Sequence, residues 1–225
     1  MNFNLGLIPL LPFLGATVLM LFGRKWTRDT VFVVAALAIG AALVVGGEWK
    51  HGTVPTVLTW QPRRIRLLGA RLAACSALAV VIAFALLVVF VVVGVLPSVV
   101  VHGEIGDVGG TWTASLAGAV ARNLCLVALA AALGGAIASA GRSTTVAVVG
   151  VFAYEAVIEP IARAHWPERS GWLVSENAVA LATGKPLESE EFTRSVLAGG
   201  LTLAVYVGLA VAASLVLFGR RDVAA

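Results

Sequence analysis

From Leu72 to Leu96 the chain runs without one charged side chain. A helix rises about 1.5 Å per residue, so about 20 apolar residues cross a hydrocarbon layer ~30 Å thick. This run is long enough to span a bilayer, and helices satisfy their own backbone hydrogen bonds there. Five further apolar runs accompany it: Leu5 to Phe22, Val31 to Gly47, one that begins between Thr113 and Asn123 and ends near Ala140, Thr144 to Ile158, and Val196 to Phe218. The fifth is expected to stop at Pro160, and the sixth is closed by "GRRD". The runs are continuous, whereas the strands of a membrane barrel alternate. The expected fold is therefore an all-α integral membrane protein of about six transmembrane helices, a single transmembrane domain over residues 1–225.

Composition excludes the soluble alternative. Hydrophobic residues make up 60% of the chain and charged residues 12%, with mean hydropathy +0.97. Soluble domains carry about 25% charged residues and could not hide this much apolar surface. The net charge of +4 then speaks to orientation in a bilayer, and nothing in the pattern points to nucleic acid. Cys75 and Cys125 both fall in apolar runs and read as small buried hydrophobes. Thirteen arginines against three lysines, beside abundant Ala, Val and Gly, point to a GC-rich bacterial genome. The opening "MNFNLGLIPLLPFLGATVLMLFGRKW" lacks a basic n-region and is interrupted by Pro9 and Pro12, so it reads as a retained membrane segment.

The loops set the orientation, because Lys and Arg in short loops favour the cytoplasm. Lys50, Arg63, Arg64, Arg66 and Arg71 lie between the second and third runs, Arg142 lies between the fourth and fifth, and Arg220 and Arg221 close the sixth. All fall on one side, and both termini are then cytoplasmic. Residues 97–112 carry Glu104 and Asp107 and no Lys or Arg, which suits the outside. The loop "GRKWTRDT", residues 23–30, runs against the rule.

The basic loop has internal order. Thr53 is a plausible N-cap and Pro55 is tolerated in a first helical turn, so "VPTVLTWQ" is a short helix-compatible piece ended near Pro62. Its arginines can meet lipid phosphates at the membrane surface. The succession Glu48, Gly52-Thr53, Leu58, Pro62-Arg63-Arg64 and Arg71 resembles the ABC type-2 permease family. The six spans, the "GRSTT" turn at Arg142 and the long segment before the last span are similar to that family too. The resemblance implies that residues 48–66 form a cytoplasmic coupling helix docking on a separate ATPase, and that residues 159–195 form re-entrant or interfacial helices. Trp166 and Trp172 suit an interface. Arg71 stands where the family more often has Lys. The opening departs from the family, which begins with a cytoplasmic amphipathic segment; "LIPLLPFLGATVLMLFGRKW" looks more like the start of an antiporter-like subunit of respiratory complex I.

No catalytic signature is legible. The only "GK", Gly184-Lys185, is followed by Pro186 and lacks a Gly-rich loop, so ATP is expected on another polypeptide and no cofactor in this one. No metal-ligand pattern joins His51, His102 and His165, and no nucleophile motif such as G-x-S-x-G is present. Gly134-Gly135 with small neighbours permits close helix packing. Three charges fall inside or near apolar runs: Arg122, Glu155 and Glu159. Such charges are functional candidates by default. Glu155 and Glu159, four apart on one face, fit a proton or cation role; alternatively they reach the outer water layer or pair with Arg163. Arg122 needs a partner if it lies within the fourth run, or marks that run's outer end.

The resemblance implies a non-enzymatic permease subunit of a bacterial plasma-membrane exporter for a hydrophobic or amphipathic substrate. Its partners would be an ABC ATPase subunit, a second permease subunit, identical or related, and membrane lipid. The alternative is an ATPase-independent membrane protein, either a proton-linked carrier or a structural subunit of a larger complex.

Overall fold

A computed structural model describes residues 36, 39–47, 63–90, 110–188 and 192–220. The chain is an all-α membrane protein: among the described residues four helices are long and apolar enough to cross a bilayer, Arg64–Val89, Ala114–Gly141, Thr144–His165 and Val196–Arg220. The first expected span lies outside the described residues. Of the second, residues 39–47 are described and helical, here α1.

Helix α2 (Arg64–Phe90) starts at the arginines themselves, with the Leu67 amide already donating to the Arg63 carbonyl at 3.1 Å. Helix α3 (Gly110–Gly141) is the hub, packing against α2, α4, α6 and α7. Its contact face is built from small residues: Ala131, Ala136, Ala138 and Ser139 are all buried. In lipid the water-driven term between helices is weak, so close backbone approach carries association, and small side chains allow it. Ala41, Ala79, Ala83, Leu126, Val127 and Leu203 join α1, α2, α3 and α7 in one core, and Leu68, Leu72 and Phe218 join α2 to α7. Cys75 packs among these clusters, whereas Cys125 is exposed on α3, not buried as its apolar run suggests.

The turn after α3 is tight. Arg142 adopts φ 51°. The Ser143 amide donates to Ala138 O at 3.3 Å and the Arg142 amide to Ser139 O at 3.4 Å. This is a Schellman end, a place where glycine is usual. Helix α4 (Thr144–Ala153) starts immediately, and Gly46 of α1 lies so close that a Cβ there would meet the Thr144 backbone nitrogen at 2.8 Å.

The next segment departs from expectation. The helix does not stop at Pro160; it widens into a π-turn (Tyr154–Ile158) and continues as α5 (Glu159–His165). The Glu159 amide reaches back five residues to Tyr154 O. Proline lacks the amide for a four-back bond and crowds the carbonyl it would face. A wider turn just before Pro160 lets the helix run on. A 3₁₀ turn (Pro167–Trp172), helix α6 (Val174–Thr183), a two-residue hairpin pairing β1 (Leu187–Glu188) with β2 (Thr193–Arg194), and helix α7 (Val196–Arg220) complete the described chain.

Candidate functional site

The polar chemistry gathers at the two ends of the bundle. At one end stand Arg63, Arg64, Arg66 and Arg71 of the α2 entry, Arg142 of the α3–α4 turn, and Arg220 of α7. Gly219 lies over Ile65, with the Ile65 side chain 3.6 Å from where a Cβ would be, which fixes the two helix ends together. Arg63, Arg66, Arg142 and Arg220 are exposed. Of the expected coupling-loop residues, Arg63 and Arg64 are therefore on this rim, while Glu48, Gly52, Thr53, Leu58 and Pro62 lie outside the described residues.

The opposite end is a hydrogen-bonded cap made by α5, the 3₁₀ turn, α6, the hairpin and the start of α7. Asn177 is fully buried and all its side-chain atoms are used. Its Nδ2 donates to Gly171 O at 3.1 Å and Leu173 O at 2.6 Å, and its Oδ1 accepts from Arg194 Nε at 2.9 Å. Arg194 also donates from Nη2 to Thr202 Oγ1 and lies 4.8 Å over the Trp172 ring. Tyr206 Oη donates to Trp172 O at 3.0 Å. One arginine thus ties the hairpin, α6, the 3₁₀ turn and α7 together. Beneath them α6 crosses α7 at Gly199, where a Cβ would sit 3.1 Å from Asn177 O.

Glu159 and Glu155 part company. Glu159 is 2% exposed and accepts from the Ser175 amide at 3.0 Å through Oε1. Arg163, one turn on, lies 3.9 Å from Glu159 Oε2, 2.8 Å from Glu176 Oε1, and donates to Ser175 Oγ at 3.1 Å. The pairing with Arg163 read from the spacing is therefore present, and it joins α5 to α6. Glu155 is exposed and Glu159 buried, yet the two carboxylates lie within electrostatic reach of each other and of Arg163.

Arg122 belongs with the cap. Its guanidinium lies against Gly184, the left-handed C-cap of α6 at φ 66°, and the neighbouring Asn123 Nδ2 donates to Ala182 O at 3.5 Å. A cation there faces the partially negative end of α6. Arg122 Nε is buried without a hydrogen-bond partner. Among the described residues no group of three or more His, Cys, Asp or Glu is placed to hold a metal ion.

The Asn177–Arg194–Thr202 network is the polar feature that the sequence reading missed. The weak signal was Arg194 at the lip of an apolar run, with Asn177 in an otherwise helical, alanine-rich stretch. No family model matches the chain, and neither a curated protein nor a solved structure is similar to it.

Proposed function

We propose that the chain is the membrane-spanning permease subunit of an ATP-driven exporter, of the ABC type-2 kind, working with a separate ATPase subunit and a second permease subunit in a bacterial plasma membrane. The observation that carries this reading is the gathering of six arginines at one end of the bundle, led by the Arg63-Arg64 pair at the head of α2. The resemblance of Glu48, Gly52-Thr53, Leu58 and Pro62-Arg63-Arg64 to a coupling loop adds to it. Both termini would then be cytoplasmic, residues 48–66 would form the coupling helix, and the cap over residues 159–195 would face outward as the re-entrant segment of a six-span fold.

In this mechanism ATP binding closes the ATPase dimer and pushes the coupling loop. The push enters α2 at its first turn. Because α2 packs along α3 and α7 through Ala79, Ala83, Leu68 and Leu72, it passes to the bundle core rather than to one helix. The permease's task is to be stable in two arrangements that the ATPase distinguishes, since a partner shifts an equilibrium only by its differential affinity. The carrier reading draws less support, because Glu159, one of its two candidate carboxylates, is tied to Ser175 and Arg163.

The test is gentle solubilisation of native membranes holding a C-terminally tagged chain, followed by identification of what co-purifies. A stoichiometric ATPase subunit with a Walker motif, lost in the Arg63→Glu/Arg64→Glu variant while the chain stays folded, is the expected result. No ATPase under conditions that hold known membrane complexes together overturns the reading and makes the arginine rim a lipid anchor.

A further inference from the structure

Arg163 and Arg194 are satisfied inside the cap, whereas Arg122 makes no hydrogen bond and no ion pair among the described residues. Its guanidinium is nonetheless held in place. It lies between two glycines: Gly184, whose left-handed backbone it covers, and Gly118 one turn earlier on α3, where a Cβ would sit 3.2 Å from Nη1. The next residue, Asn123, fixes this position. Its Nδ2 donates to Ala119 O of its own helix at 2.9 Å and to Ala182 O of α6 at 3.5 Å. Arg122 Nε is enclosed; Nη1 and Nη2, equally unpartnered, stay open to the surface. The partially negative end of α6 draws a cation to this spot. It does not satisfy the cation, because no N–H of Arg122 reaches a carbonyl. A guanidinium has five N–H donors, so an acceptor from outside the described chain is called for.

Depth selects that acceptor. Arg122 stands twenty residues before Arg142 along the continuous helix α3 and the turn that ends it. At about 1.5 Å per residue this is roughly 30 Å, the thickness of a hydrocarbon layer. Arg142 belongs to the arginine rim, so Arg122 stands at the headgroup level of the opposite leaflet. Trp166 and Trp172 of the cap, 53% and 60% exposed, suit the same level. The anionic groups that a membrane supplies there are phosphates. Two carboxylates of the cap, Glu159 and Glu176, are already engaged by Arg163. Lys185, next to Gly184, adds a second, exposed cation. A phosphate diester offers two anionic oxygens to the two terminal nitrogens, the bidentate match that a guanidinium makes and an ammonium does not.

We propose that Arg122, held between Gly118 and Gly184 at the junction of α3 and α6, binds the phosphate of a phospholipid in the leaflet on the cap side. The site clamps one lipid headgroup where the cap meets the first turns of α3. It does not rest on the function proposed above, since it needs only the bundle and a membrane around it.

The experiment uses Cys125, exposed on α3 about one turn from Arg122. A fluorophore is attached there in the full chain carrying Cys75→Ala, purified in detergent, and a phosphatidylcholine with a nitroxide on its headgroup is titrated in. Saturable quenching is expected, with affinity lowered tenfold or more in Arg122→Gln and unchanged in Arg66→Ala. Arg122→Lys, which keeps the charge and loses the fork, should lose threefold or more. Inorganic phosphate should not displace the lipid, and a nitroxide-labelled diacylglycerol, which has no phosphate, should show no dependence on Arg122. Equal affinity in the parent chain and Arg122→Gln overturns the proposal, as do absence of saturable quenching and an equal Arg122 dependence for the diacylglycerol. Should Arg122→Gln fail to fold, equal affinity in Arg122→Lys overturns it instead. Displacement by inorganic phosphate overturns the assignment to lipid and makes this a site for the free anion. A rise in affinity in Glu104→Gln/Asp107→Asn also overturns it, because a carboxylate of the chain would then be holding Arg122.

Discussion

The two ends of the bundle use arginine in opposite ways. At the cap, Arg163 and Arg194 each engage several partners inside the chain, and the carboxylates and amides around them are placed to receive them. At the other end six arginines gather on one rim; Arg64, Arg71 and Arg142 have contacts of their own, and Arg63, Arg66 and Arg220 are exposed. Arg194, half-buried among Asn177, Thr202 and Trp172, fixes geometry, because removing one partner leaves its charge poorly paired. Exposed charges such as Arg63, Arg66 and Arg220 do little for the fold. The cap is thus built to hold the fold, whereas the exposed rim arginines add little to it.

That contrast can be broken by substitution. The largest effect is expected from Asn177→Leu, which strips Arg194 Nε of its acceptor and frees the Gly171 and Leu173 carbonyls. A loss of roughly 3 kcal/mol or more is expected in detergent unfolding experiments. An unchanged midpoint would mean that the cap is not held by this network. Gly184→Ala should come next, costing about 1–3 kcal/mol, because alanine resists the left-handed backbone and its methyl group would enter the Arg122 guanidinium. Arg142→Gly should act in the opposite direction, stabilising the chain by roughly 1 kcal/mol in the same measurement, since glycine takes a positive φ without strain. The smallest effect is expected from Arg66→Ala, within about 0.5 kcal/mol, as for most exposed substitutions. If Arg66→Ala destabilised as much as Asn177→Leu, the division of labour between the ends would fail.

The spans were legible because apolar length is a local property. Val196 to Phe218 announced α7 to within a turn, and Leu72 to Leu96 announced α2, whose helix begins eight residues earlier at Arg64. The arginine rim was legible too, since it needs only charge and chain order. The cap was not. Arg194 meets Asn177 seventeen residues away and Tyr206 meets Trp172 thirty-four away, and no periodicity encodes such meetings. Pro160 misled for a physical reason: proline normally ends a helix, and only a rearranged turn before it lets the rod continue.

A π-turn is, in effect, one surplus residue held inside a helix. Each residue of an α-helix advances the side chains by about 100°. The surplus residue between Tyr154 and Ile158 therefore sets the rotational phase of Glu159 and Arg163, on one side, against that of α4 on the other. Were the surplus to slide along the rod by one position, Glu155 would swing around the helix axis while the Schellman turn at Arg142 and the Arg163–Glu176 tie stayed where they are. The phase of Glu159 and Arg163 against α4 is thus set by the position of one residue.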